Sequence, residues 1–324
     1  MAKKKAEPKA APTKAAPKSK RGTSALLERI QKKQQKTSAA LLSGGSASDV
    51  KIVVPTGIDV LDHYVLGCGG FPCGRIAEVY GGEGSGKSSL VFNTIAQAQK
   101  IGLPVIFIET EQAITGGRIH EFGVNLEEVI LCQPDHIDEV IEFIEDSLAA
   151  MNDDEPCFLA WDSIAETPSK REFEGGVAKK DMPGERAKSL SKLVRTTKTR
   201  LARKQVATLF VNQIRDKPGV VFGPTTTTPG GHGVKFGASI RLAFLGGEAQ
   251  KIGEEHVGKK PLIMAMKNKF APPMRKARVR LDFEGGWNNQ WTTINYAKDK
   301  DLIAAGCRVT DKNYAEAKKA LGWK

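Results

Sequence analysis

The segment Gly81-Gly82-Glu83-Gly84-Ser85-Gly86-Lys87-Ser88 fits the spacing G-x-x-x-x-G-K-[ST], and Ser89 extends its run of small polar residues. Glycines here let backbone N–H groups curl round phosphate oxygens where a Cβ would obstruct them. Lys87 then brings a mobile cation to the β- and γ-phosphates, Ser88 offers a hydroxyl to Mg2+, and the start of the following helix adds its partial positive charge. The spacing predicts an ATP site with Mg2+ as its metal. A second acidic contact to the metal, through water, is expected from Asp162, which ends the apolar run Cys157-Phe158-Leu159-Ala160-Trp161. Hydrolysis also needs a group that orients or deprotonates water, and Glu109-Thr110-Glu111 offers two carboxylates after Val105–Ile108. Spacing does not choose between Glu109 and Glu111, and either could instead cap the next helix.

For these groups to converge, the strands that carry them must end at one edge of a sheet. Apolar strands are predicted at Ile76–Tyr80, Val105–Ile108, Val129–Leu131, Cys157–Trp161, Ala207–Val211 and Ile240–Phe244, with helices at Lys87–Lys100, Ile137–Met151 and Ala187–Lys204. That alternation predicts an α/β fold: a mostly parallel, twisted sheet covered on both faces, with ligands at the carboxyl ends of its strands. Ser24–Lys36, carrying Leu26, Leu27 and Ile30, reads as a short amphipathic helix opened by a serine cap; Ser43–Ser48 reads as a linker after it. A last helix is predicted at Tyr314–Leu321. The expected division is a basic tail (1–23), a helix and linker (24–50), a nucleotide-binding core (51–284) and a reduced carboxyl-terminal region (285–324).

The chain has 324 residues, of which 40% are hydrophobic, enough for a folded core, and a formal net charge of +12 that points to a polyanionic partner. More than half of that charge lies in the first 24 residues, where seven lysines and Arg21 face the single Glu7. Rich in Ala, Pro and Lys, this tail is expected to be disordered. It lacks the apolar run of a secretory signal, and no stretch of the chain is apolar for long enough to span a membrane; a soluble, cytoplasmic protein without a membrane partner is expected. Cys68, Cys73, Cys132, Cys157 and Cys307 form no CxxC pair and are expected to be reduced thiols that bind no metal.

Two further segments suit nucleic acid. Glu174–Gly184 is a Gly-bearing loop, and the helix after it carries Arg186 and then Lys188, Lys192 and Arg195 at i, i+4, i+7, opposite Leu190, Leu193, Thr197 and Leu201. Such a stripe could follow phosphates or be an ordinary solvated face. Pro224–Gly233 has hydroxyls and glycine amides (Thr226, Thr227, Gly230, Gly231) but no apolar periodicity; it is expected to be mobile, and to be either a strand-gripping loop or a plain surface loop.

In their order these pieces resemble the RecA family of homologous-recombination ATPases over roughly Val53 to Asp282. Pro55-Thr56-Gly57-Ile58-Asp59, Leu66-Gly67-Cys68-Gly69-Gly70, Gly81–Ser89, Phe107–Gln112, Gln133-Pro134-Asp135, Trp161-Asp162-Ser163 and Val211-Asn212-Gln213-Ile214-Arg215 carry the likeness. The resemblance selects Glu111 as the catalytic acid and makes Gln213 the sensor of the γ-phosphate. It also makes Glu174–Gly184 and Pro218–Gly233 the two DNA-binding loops, with Met182 inserted between stretched bases. It further implies that Lys267 and Lys269 reach a neighbouring subunit's ATP, that Ser24–Lys36 docks on an adjacent subunit, and that the partners are single-stranded and duplex DNA within a helical homo-oligomeric filament, with single-strand-binding or mediator proteins as helpers. Where bacterial members place an aspartate and a tyrosine around adenine, this chain has Thr115 and Arg118; a guanidinium can stack on a purine. The carboxyl-terminal region is shorter than in bacterial members and ends in lysines, as would suit a phage-encoded relative. The implied activity is DNA-dependent ATP hydrolysis coupled to strand exchange; a helicase of the same fold and an ATP-gated filament without strand exchange are the alternatives.

Overall fold

A computed structural model describes residues 21–33, 43, 49–112, 114–175, 184–216 and 226–323. The chain falls into two units, residues up to Asp49 and Val50 onward. In the first, the helix is Arg21–Lys33, so Ser24 lies within it rather than capping it; Leu26 and Ile30 are exposed. The basic tail before Arg21 and all of the expected linker except Ser43 lie outside the described residues.

The second unit is built on a ten-stranded sheet. Its parallel half runs, in spatial order, Val129–Cys132, Val105–Glu109, Cys157–Asp162, Val206–Gln213, Ile76–Gly81 and the first residues of Ile240–Ile252. The central strands are mostly apolar because both of their faces are covered, with Glu78, Thr208, Asn212 and Asp162 among their buried polar residues. On one face Val79, Phe107, Phe158, Leu209 and Val211 pack under Leu90, Val91 and Ile95 of the helix Lys87–Lys100. On the other, Ile108, Trp161 and Phe210 meet the helices Ile137–Ala150 and Glu185–Lys204 through Val140, Ile144, Leu190 and Leu193. Trp161 and Phe210 touch edge to face at 5.6 Å, a geometry that favours the ring quadrupoles.

The other half of the sheet is antiparallel, which the apolar runs did not foretell. The strand Ile240–Ile252 continues eight residues past Phe244 and turns back as Glu255–Asn268. The short strands Lys276–Arg278, Leu281–Asp282 and Gly286–Trp287 complete this edge. The region after Gly286 packs on the rest of the unit. The helices Asn289–Asp299 and Asp311–Leu321 meet through Ile294, Ala297 and Ala317. The Tyr314 hydroxyl donates to Asp59 at 2.6 Å, and Trp323 stacks on Tyr296 and His63. Among the described residues no helix is long and apolar enough to cross a membrane. All five cysteines are free thiols.

Candidate nucleotide site and nucleic-acid face

Strand register brings the chemistry-bearing residues to one sheet edge. Gly81 pairs with Gln213 on one side and Phe244 on the other, and Glu109 pairs with Asp162. A Cβ at Gly81 would lie 2.6 Å from the Phe244 carbonyl oxygen, so the strand can enter the loop here only as glycine. Gly84 and Gly86 have φ of 59° and 98°, the left-handed region that turns the loop back into the helix beginning at Lys87. The Lys87 ammonium donates to the Gly82 carbonyl at 2.8 Å; burial lowers its pKa, and Asp162 and Glu111 pull it back up.

Asp162 is 1% exposed, and neither of its carboxylate oxygens accepts a hydrogen bond. Burial raises its pKa to about 7; Ser88 and Lys87 beside it lower it, without closing a well-formed bond, while Glu111 and Glu109 raise it. A buried carboxylate without a partner is costly, and a cation held beside it removes that cost. The Asp162 and Ser88 pair therefore fits Mg2+.

The two glutamates face different surroundings. Glu109 is buried and accepts from the Gln133 side chain at 2.9 Å, beside an apolar cavity lined by Ile95, Phe107 and Leu131. Glu111 is exposed, and one of its oxygens accepts from the Ser163 hydroxyl at 2.9 Å and the Gln213 amide at 3.5 Å. Residues two apart would share a face in a continuous strand, but the strand ends at Glu109 and Gln112 turns back with φ of 50°. Of the two carboxylates left open by spacing, Glu111 is the one that meets Gln213 and Glu109 the one that meets Gln133.

Arg118 lines a cleft of about 230 Å³ with Gly84, Gly86, Ser88, Ser89, Lys259 and Phe283, and donates to the Phe283 carbonyl at 3.2 Å. Thr115 stands at the start of the short helix Gly116–His120 that carries Arg118. Lys259, Leu281 and Phe283 escaped sequence reasoning because they belong to the antiparallel edge, where no motif marks them. Burial lowers the Lys259 pKa.

Asn212 joins this site to a second region. Its side-chain amide donates to Glu78 at 2.9 Å and to the Pro229 carbonyl at 3.0 Å, while Glu78 is also ion-paired with Arg241. Pro229 leads into the helix Gly231–Gly237, so the described part of the expected loop carries regular structure: Thr226-Thr227 form a strand with Arg215-Asp216, and Thr227 accepts from Lys235 at 2.9 Å. Glycine permits this. Cβ atoms on Gly231, Gly233 and Gly237 would approach Ala187, Ser191 and Val194 of the neighbouring helix to 2.9, 2.3 and 2.1 Å, and one on Gly230 would approach Leu190 to 2.9 Å. Gly230 and Gly231 serve close helix packing here, which sequence alone did not suggest.

Lys188, Lys192 and Arg195 are exposed on the helix Glu185–Lys204, with Leu190, Leu193, Thr197 and Leu201 buried opposite, as the spacing implied. Two members of the proposed set are differently placed. Arg186 turns inward and donates to the carbonyls of Ala165 and Thr167 at 3.1 and 3.2 Å, because those loop carbonyls need a donor. Lys192 lines a groove with Asp138, Glu142, Glu145 and Asp146, which weakens its pull on phosphate. Met182 lies outside the described residues, as do 176–183 and 217–225. Lys267 donates to the carbonyls of Lys235 and Phe236 at 2.8 and 3.0 Å; burial first, then Lys269 and Arg241, lowers its pKa. It pairs in register with Arg241 and hence lies level with Glu78, toward the opposite end of the sheet from the P-loop. Lys269 is exposed.

The Gly-rich turn between the strand Ile76–Gly81 and its helix, the acid at the end of the strand Cys157–Asp162 and the largely parallel sheet define a P-loop nucleotide-binding α/β protein. The model of the RecA N-terminal domain matches residues 21–288. The chain is 37% identical to Protein RecA of Leptospira biflexa serovar Patoc over 285 residues, covering 88% of this chain and 72% of that one. It is 36% identical to Protein RecA of Bacillus subtilis over 278 residues (86% and 78%), and 34% identical to that of Bacteroides thetaiotaomicron over 279 (86% and 83%). The chain belongs to the RecA family, ATP- and DNA-binding proteins of recombination and repair.

Proposed function

We propose that this protein is a DNA-dependent ATPase of the cytoplasm that forms helical filaments on single-stranded DNA and uses them to pair that strand with homologous duplex and exchange strands. The observation that carries the proposal is the connection from Glu111 through Gln213 and Asn212 to Pro229, a continuous path from the nucleotide site to the segment that resembles the family's second DNA-binding loop. Lys87 offsets phosphate charge, and Glu111 orients the attacking water and takes its proton. When bound by Ser88 and Asp162, Mg2+ would supply further neutralisation of the phosphates. Gln213, within hydrogen-bond reach of Glu111, reports the state of the nucleotide to Asn212 and so to the DNA loop. Lys267 and Lys269 serve the neighbouring subunit's ATP, which makes turnover depend on assembly. Single-strand-binding or mediator proteins would act on filament loading.

Steady-state ATP turnover with and without single-stranded DNA tests this. Stimulation by DNA in the wild type, lost in Lys87→Ala and much reduced in Gln213→Ala with nucleotide binding retained, is the expected pattern. Turnover indifferent to DNA would defeat the proposal.

A further inference from the structure

The antiparallel edge of the sheet sends a cation into the nucleotide cleft. Lys259 pairs in register with Leu281, and both stand beside the P-loop: a Cβ on Gly86 would meet Leu281 at 3.0 Å, and one on Gly84 would meet the Lys259 ammonium at 3.7 Å. The Phe283 backbone N–H donates to the Val257 carbonyl at 2.9 Å, which holds the Phe283 ring at the same edge. That ring is 39% exposed, and the Lys259 ammonium lies 5.8 Å from its centre. Lys259 meets no hydrogen-bond acceptor among the described residues.

The charged side chains lining the cleft are Arg118 and Lys259, and its hydroxyls are those of Ser88 and Ser89. Among the described residues no carboxylate lines it. Asp282 instead accepts from Arg280 at 2.6 Å and from Asn288 at 2.9 Å. Arg118 is already engaged, since its Nη1 donates both to Glu121 and to the Phe283 carbonyl.

Phosphates and base would divide this cleft by their chemistry. The loop amides, Lys87 and the helix start answer the phosphates. A base needs a flat apolar surface for its face and matched polar groups for its edge, and Phe283 is the one aromatic ring among the described residues lining the cleft. Beside that ring stands an ammonium, which donates hydrogen bonds and accepts none. A purine with an amino group at its 6 position would set a donor against this cation. One with a carbonyl oxygen there would receive a charge-assisted hydrogen bond.

We propose that Lys259 is a specificity-determining residue that reads the edge of a base stacked on Phe283, so that the site takes 6-oxopurine nucleoside triphosphates, GTP and ITP, at least as readily as ATP. The proposal rests on the reading of the protein as a DNA-dependent P-loop ATPase and widens its substrate class.

The test uses the full chain with Mg2+. ADP, GDP and IDP compete for a ribose-labelled fluorescent ADP, followed by anisotropy, and turnover of ATP, GTP and ITP is then measured with single-stranded DNA. IDP differs from ADP at the 6 position without adding the 2-amino group of guanine, so this pair isolates the contact. In the wild type IDP and GDP should displace the label at least as well as ADP, and kcat/KM of the triphosphates should follow the same order. Lys259→Met should weaken IDP and GDP about tenfold, the worth of one hydrogen bond to a charged group, and leave ADP within about twofold. Lys259→Arg keeps a cationic donor and should restore most of the difference. Equal losses for all three nucleotides in Lys259→Met would assign the ammonium to the phosphates. That result, unchanged binding in Lys259→Met, or tighter wild-type binding of ADP than of IDP overturns the base reading alone. A wild type that binds neither the label nor any of the three nucleotides overturns both the base reading and the ATPase reading.

Discussion

Glu109 and Glu111 are separated by a single residue and differ in what they can do. Glu109 is buried with Gln133 as its donor, whereas Glu111 faces Ser163 and Gln213 at the P-loop edge. Glu111→Gln should lower ATP turnover about 10²–10⁴-fold with nucleotide affinity retained, and Glu109→Gln, whose carbonyl can still accept from Gln133, should leave turnover largely intact. Single-turnover hydrolysis of both variants checks this; the reverse ranking would make Glu109 the acid. A second prediction concerns pH. Asp162 is raised to about 7 and Asp62, buried with the Thr56 N–H donating at 3.0 Å, to about 8. Both folded-state values lie above the ordinary carboxylate range, so the folded chain holds protons that the unfolded chain has released. Their stabilisation is complete below about pH 4 and is lost as pH rises through 7 and 8. Free of nucleotide, the protein should therefore lose thermal stability between pH 5 and 8, and Asp62→Asn should flatten the decline. A midpoint that rises over this interval would contradict the assignment.

Elements differ in how openly the sequence announces them. The parallel strands and the helices Lys87–Lys100 and Glu185–Lys204 were legible because burial on both faces leaves continuous apolar runs and burial on one leaves a 3.6-residue period. The nucleotide motif was legible because phosphate binding restricts residue types at fixed spacing. The antiparallel extension was not: Leu245–Ala249 is exposed and follows no apolar alternation, so its strand is imposed by pairing with Leu262–Lys259 and not by its own pattern. With it were missed Lys259 and Phe283. The helix Gly231–Gly237 was hidden for the opposite reason, since glycines are poor helix formers and only close packing against Ala187, Ser191 and Val194 selects them. That packing yields a third prediction. Gly233→Ala places a methyl 2.3 Å from the Ser191 hydroxyl, and should cost about 1–3 kcal/mol and weaken single-strand binding while sparing nucleotide binding at the P-loop. Denaturant unfolding and oligonucleotide binding measure the two effects; unchanged values in both would show that the helices need not approach so closely.

At the scale of the whole molecule, Lys267 and Lys269 stand toward the far end of the sheet from their own chain's P-loop. A role for them in hydrolysis therefore requires a second copy. Lys267→Ala should turn over ATP slowly yet bind it, and mixing it with Lys87→Ala should restore activity above the sum of the two, because an intact P-loop then meets an intact Lys267. A strictly additive mixture would remove the shared site. Net charge follows the same logic: a charge of +12 favours polyanions without choosing among them, and in the proposed function base pairing would supply the choice. Strand exchange tests that claim most directly. With the protein assembled on single-stranded DNA with ATP and Mg2+, labelled duplex of homologous or unrelated sequence is added and strand transfer is followed. The account predicts transfer that requires both ATP and homology; ATP-driven strand separation indifferent to homology would contradict it.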